Sequence, residues 1–222
     1  MKTVYRHIMF LAFILVILIA GIRFCLTHTF IDLEYAYPAF PDDTYGFSRD
    51  TRTVLAYQSV DYLLGKLSDA DYQALATPDG KPLFNQRELS HMRDVRDLTH
   101  IVLAVWYASI AVMAAGIVLA LKLHWQTHLL EAGKLASKII FFFIVFVLLA
   151  VLLNFDRLFT IFHSLFFEGD TWLFYPSDSL IRLFPTPFWV NVFITVGIIS
   201  FTLAFFLHYA CGSLLKKKER VE

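Results

Sequence analysis

The chain has 222 residues, 58% of them hydrophobic and 23 of them phenylalanine, with a formal net charge of zero. Soluble domains sit nearer about 45–50% apolar, so this composition argues against an ordinary soluble globular protein, and the balanced charge gives no sign of a nucleic-acid partner. Two cysteines, Cys25 and Cys211, are too few for a disulfide framework, and no Cys/His cluster suggests a structural metal.

Crossing a hydrocarbon core of about 30 Å takes roughly 20 helical residues. Four stretches are long enough, at about 8–27, 100–121, 138–155 and 188–209. The predicted fold is therefore all-α: a polytopic membrane protein with four transmembrane helices, a single integral membrane domain over 1–222. The first stretch follows Lys2 and Arg6 like a signal peptide, but no small-x-small cleavage site ends it, so it is read as a retained span.

The first outer loop, about 28–99, opens irregularly with a Pro-, Tyr- and Asp-rich run from Tyr35. A helix is expected over 51–67, where Val54, Leu55, Tyr57, Tyr62 and Leu63 recur at three- and four-residue spacing. Thr77-Pro78-Asp79-Gly80 reads as a turn. Asn85 with Glu88 three residues on resembles a capping box and starts a helix continuous with the second span. The second outer loop, about 156–187, is rich in Phe, with Trp172 and Tyr175 suited to headgroup depth. Its first part, 156–167, is either an interfacial helix or a prolongation of the third span. The cytoplasmic parts carry 9 basic and 3 acidic residues, and the two outer loops 9 basic and 16 acidic. The positive-inside rule then places both termini in the cytoplasm.

Two outer histidines keep unusual company. At about 100° per residue, Phe84, Glu88, His91, Val95 and Leu98 share one helix face, flanked by Arg87 and Asp94. A carboxylate bonded to one ring nitrogen of His91 would fix its tautomer and make the other nitrogen a better base. The competing reading is a surface histidine in a salt-bridged helix. His163 lies among Phe159, Phe166 and Phe167, where an unpartnered polar ring is costly. Asp156 is two turns away, about 10 Å along a regular helix, so a partner must come from another element, His91 being one candidate. The competing reading is a histidine snorkelling to the headgroups. Arg23, near the outer end of the first span, either seeks a partner in the bundle or snorkels outward. Cys25 is a possible nucleophile, but nothing beside it would lower its pKa, and a small buried hydrophobe is the plainer reading.

Three segments resemble the signature of the Lit family, the bacterial lipoprotein intramolecular transacylases. They are Phe84-Asn-Gln-Arg-Glu-Leu-Ser-His-Met-Arg-Asp-Val-Arg-Asp-Leu98, Phe162-His-Ser-Leu-Phe-Phe-x3-Thr-Trp-Leu-Phe-x-Pro-x-Asp-x-Leu-Ile181, and Tyr45-Gly-Phe-Ser48. The resemblance spans nearly the whole chain. It implies an acyltransferase of the bacterial cell membrane whose partners are membrane lipid and a diacylglyceryl-modified lipoprotein. Such an enzyme moves the sn-2 acyl chain to the α-amino group of the N-terminal cysteine, giving the lyso-form lipoprotein. It implies His91 and His163 as the catalytic pair, facing outward. Glu88, Asp94, Arg87, Arg23, Asp156 and Trp172 are the candidates for supporting or orienting them. Amine and ester belong to one molecule, so much of the entropic barrier is met beforehand. A base, an acid and an oxyanion donor complete the requirement, with no cofactor and no metal. Two other readings stand beside it: a haem-binding four-helix redox protein, and a phospholipid-dependent N-acyltransferase working through a Cys25 thioester.

Overall fold

A computed structural model describes residues 1–77, 79–169 and 171–220. Pro78, within the expected turn after Thr77, lies outside the described residues. Among the described residues eight helices follow in order: α1 (Lys2–Cys25), α2 (His28–Ala36), α3 (Arg49–Leu63), α4 (Asp69–Gln73), α5 (Gln86–Lys122), α6 (Gln126–Phe166), α7 (Ser179–Leu183) and α8 (Thr186–Glu219). Apart from one isolated bridge between Ala76 and Pro82, the described residues contain no β-structure. The protein is all-α, and α1, α5, α6 and α8 are each long and apolar enough to cross a membrane.

Local chemistry explains where the helices start and break. Asn85 Oδ1 accepts from the backbone N–H groups of Arg87 and Glu88 at 3.0 and 3.1 Å. Glu88 Oε2 accepts in return from Asn85 N at 2.8 Å, so the expected capping box forms and α5 runs unbroken for 37 residues. That is roughly 55 Å at 1.5 Å per residue, well beyond a hydrocarbon core. The first turns of α5, before the apolar stretch that opens near His100, therefore lie outside the spanning segment. α6 leaves helical geometry at Asn154 (φ −164°, ψ 87°). There Asn154 Oδ1 accepts from Arg157 N at 3.0 Å, as an N-cap does. Residues 155–166 thus continue α6 past a kink, as a helical segment with its own cap.

The expected helix over 51–67 is found at Arg49–Leu63, started by Ser48, which accepts from Thr51 N, and stopped before Gly65 at φ +74°. Two short helices were not expected. α2 is capped by Thr27, which accepts from Phe30 N at 3.2 Å. α4 starts with a complete capping box between Ser68 and Asp71.

The chain divides into two compact units. One comprises Met1–Arg23, Val102–Leu149 and Ile194–Glu222. Its helices bond across their interfaces, Tyr5 to Gly116 O at 2.9 Å and Trp106 Nε1 to Val16 O at 3.1 Å. Ile17, Ile140, Ile144 and Ala204 fill one of its cores, while Phe142, Phe146 and Phe206 are exposed. The other unit comprises Phe24–Ile101 and Ala150–Phe193. Its core joins Phe47, Leu55, Tyr62, Tyr72, Phe84 and Met92 to Leu180 and Leu183, so the segment between α1 and α5 and the segment between α6 and α8 share one apolar interior. Arg182 of α7 forms an ion pair with Asp43 at 2.9 Å and lies over the Phe47 ring at 3.5 Å. Asp43 also accepts from Phe47 N at 2.7 Å. The Tyr45-Gly-Phe-Ser segment is thus a clamp on α7.

Candidate active site

The second unit brings His91 and His163 together. His91 stands in the first turns of α5; His163 stands in the last turn of α6, past the break at Asn154. Their ring centroids are 6.1 Å apart with planes 23° off parallel, and both residues are buried, at 8% and 7% exposure. Aromatic rings close the site. Phe167 and Phe174 lie 4.9 and 5.4 Å from His91, and Phe159 and Trp172 lie 4.0 and 4.9 Å from His163. Among the described residues no three His, Cys, Asp or Glu side chains converge as a metal set would.

The tautomer of His163 follows from its partner. Its Nδ1 lies 2.8 Å from the carbonyl oxygen of Phe159. A carbonyl only accepts, so Nδ1 carries the proton and Nε2 holds the lone pair. Burial lowers the His163 pKa, so the ring stays neutral and its Nε2 basic at neutral pH. His91 Nδ1 is buried with no hydrogen-bond partner in the protein. Burial, reinforced by the neighbouring His163, lowers the His91 pKa to about 4. Both rings are therefore uncharged in an aromatic enclosure, and His91 presents a polar atom that nothing in the chain satisfies.

The carboxylate expected to orient His91 is not there. Asp94 is exposed and makes no bond to the ring. Glu88 is 1% exposed, but its carboxylate is occupied by backbone. Oε2 takes Asn85 N, and Oε1 takes Leu180 N at 2.8 Å. Arg87 reaches the same neighbouring segment, donating to Leu173 O at 3.0 Å and covering the Tyr175 ring at 5.5 Å. Asn85 Nδ2 donates to Asp178 at 3.2 Å, and Asp178 accepts from Tyr175 N at 2.8 Å. The polar residues of the first motif thus strap residues 173–180 to the start of α5, and that segment brings Trp172 and Phe174 to the histidines. Asn85 was legible only as a cap; its second role needs the fold.

The remaining expected residues scatter. Asp156 is exposed and lines a small cavity of about 70 Å³ with Phe155, Phe159, Phe184 and Trp189. Arg23 is half-buried in the last turn of α1, in the other unit. Cys25 ends α1 as a buried free thiol, as Cys211 is in α8. Phe159 and Phe167 were expected beside His163, whereas Phe174 was visible only as part of the aromatic excess of its loop.

Comparison with known proteins places this architecture. The sequence model of the family described as "Lipoprotein intramolecular transacylase Lit" matches residues 7–189. An uncharacterized protein of Aquifex aeolicus is 27% identical over 195 residues, 88% of this chain and 87% of its own length. The solved structure of the membrane integral lipoprotein intramolecular transacylase Lit from Bacillus cereus superposes with a TM-score of 0.72 at 20% identity, covering 100% of this chain and 99% of that one. A variant of the same enzyme with a histidine-to-arginine mutation gives 0.69 at 18% identity, covering 100% and 95%.

Proposed function

This chain belongs to the lipoprotein intramolecular transacylase (Lit) family, and from that premise we propose that it moves the sn-2 acyl chain of a diacylglyceryl lipoprotein onto the α-amino group of the same molecule's N-terminal cysteine. The observation that carries this reading is the buried, stacked pair of neutral histidines, one with a fixed basic nitrogen. The amine nitrogen attacks the ester carbonyl carbon, a C–N bond forms and the carbonyl π electrons move to oxygen. Nε2 of His163 takes the proton that nitrogen must lose. When the tetrahedral intermediate collapses, the C–O bond to glycerol breaks and the imidazolium of His163 returns that proton to the departing oxygen. Nitrogen loses one proton and glycerol gains one, so no outside donor is needed. His91, neutral and unpartnered, hydrogen-bonds the departing oxygen during this exchange. Burial serves the step by excluding the water that would hydrolyse the ester.

The aromatic walls supply an apolar bed for the acyl chains, and the strapped segment 173–180 holds those walls in place. The charge asymmetry of the loops supports a site facing outward with both termini in the cytoplasm. Cysteines placed at Ser90 and Ser164, in a background lacking Cys25 and Cys211, would then react with an impermeant thiol reagent on intact cells. Reaction only in inverted vesicles contradicts that orientation. The activity itself is tested by mass spectrometry of a lipoprotein's N-terminal lipopeptide from a host with and without this protein. N-acyl, S-monoacylglyceryl cysteine should appear only with it; an unchanged acyl arrangement refutes the reading.

A further inference from the structure

Trp172 has a polar atom that the mechanism above leaves unused. Its ring lies 4.9 Å from that of His163, and its Nε1 is buried with no acceptor in the protein. Trp106 and Trp189 behave differently: each donates its indole N–H to a backbone carbonyl at 3.1 Å. A buried donor without a partner is costly and rare. His91 Nδ1 is orphaned too, and both rings pack against His163. An indole nitrogen only donates, so it cannot serve as base or nucleophile; the chemistry open to it is to bond an oxygen. The chain that follows Trp172 is held at two points. Leu173, the next residue, is fixed through its carbonyl by Arg87, and Tyr175 through its N–H by Asp178.

We propose that the Trp172 indole N–H stabilises the oxyanion that forms on the ester carbonyl as the cysteine amine attacks. The proposal rests on the transacylase reading and supplies the one component that reading leaves open. The nitrogen lone pair forms the new C–N bond, the carbonyl π pair becomes the negative charge on oxygen, and the indole N–H bonds that oxygen. On collapse the pair returns to re-form the carbonyl, the glycerol C–O bond breaks, and the indole keeps its proton throughout. Aromatic packing around a fixed donor makes the stabilisation pre-organised, with little rearrangement as charge develops.

The experiment replaces Trp172 by benzothienylalanine, which keeps the bicyclic shape with sulfur in place of N–H, and separately by phenylalanine (Trp172→Phe). Both are made in the full chain and assayed on a synthetic diacylglyceryl lipopeptide beside the unaltered protein. Loss of one oxyanion donor costs on the order of 10²- to 10³-fold in kcat. Both variants should fall by about that factor while KM and the thermal midpoint stay near those of the unaltered protein, a split that a packing defect would not produce. Near-full kcat in the benzothienylalanine protein overturns the proposal, including when Trp172→Phe is impaired, since shape alone would then explain Trp172. If the unaltered protein itself forms no lyso product, the transacylase reading fails and this proposal falls with it.

Discussion

Glu88 holds the start of α5 to the start of α7, and replacing it by glutamine isolates that tie. The carboxylate is 1% exposed and accepts two backbone N–H groups, from Asn85 and Leu180, each at 2.8 Å. Glutamine has nearly the same volume, so no cavity opens. Its single carbonyl oxygen satisfies one N–H, and its NH2 group then faces the other, leaving a buried donor unpaired. A lost bond to a charged acceptor is worth roughly 1.5–3 kcal/mol, so Glu88→Gln should destabilise the protein by about that much. At about 2–4 °C per kcal/mol for a chain of this size, the thermal midpoint in detergent falls by roughly 3–12 °C. Glu88→Ala orphans both amides and falls further. The variant should also lose kcat, because residues 173–180 position Trp172 and Phe174 against the histidines. A Glu88→Gln midpoint within about 1 °C of the unaltered protein would refute this reasoning, since an unpaired buried donor cannot be that cheap.

His91→Ala and His163→Ala should each abolish transacylation while leaving a folded protein, and the double variant should lose little more, because groups acting as a unit are not additive; near-full activity in either single variant, measured by lyso-product formation, removes that residue from the mechanism. Cys25→Ala should stay active, the substrate amine being the nucleophile, and an acyl thioester on Cys25 turning over at the catalytic rate would contradict direct transfer. Burial places the folded pKa of His91 near 4, below its unfolded value of about 6.5. Between these the unfolded state binds more protons, so this contribution to stability is complete above about pH 6.5 and is lost as pH falls toward 4. Thermal midpoints measured across that window should fall more steeply with acid in the unaltered protein than in a His91→Phe variant; parallel curves would show that the ring is not held neutral by burial.

The membrane architecture was legible because four apolar runs of spanning length leave little choice of structure. The unbroken α5 was legible for a local reason, since Asn85 and Glu88 announce a capping box. The same kind of signal stood unread at Ser68-x-x-Asp71 and at Thr27, which start α4 and α2. The site was legible as two histidines in distinctive segments, with His91 one candidate partner for His163, but the elements that bring them together were not. Their approach depends on the break at Asn154 and on α7 docking through Glu88, Ser179 and Arg182, which bond across 92, 96 and 139 residues of chain. No periodicity encodes such distances. The expected carboxylate partner of His91 failed for a related reason. Glu88 shares its helix face, but two backbone amides, Asn85 at the start of α5 and Leu180 in the strapped segment, claim that carboxylate first. Arg87, read as a candidate to support or orient the histidines, and Asn85, read as a cap, hold the segment that completes the enclosure.

The central claim is a direct transfer within one lipopeptide, run by the histidine pair. It is tested by incubating the purified protein with two diacylglyceryl lipopeptides, one with a light peptide and light sn-2 chain, the other heavy in both. Mass spectrometry of the products should find light chains only on light peptides and heavy only on heavy, with no product from His163→Ala. Crossed products at a substantial fraction, or lyso product formed by His163→Ala at the unaltered rate, would contradict the account.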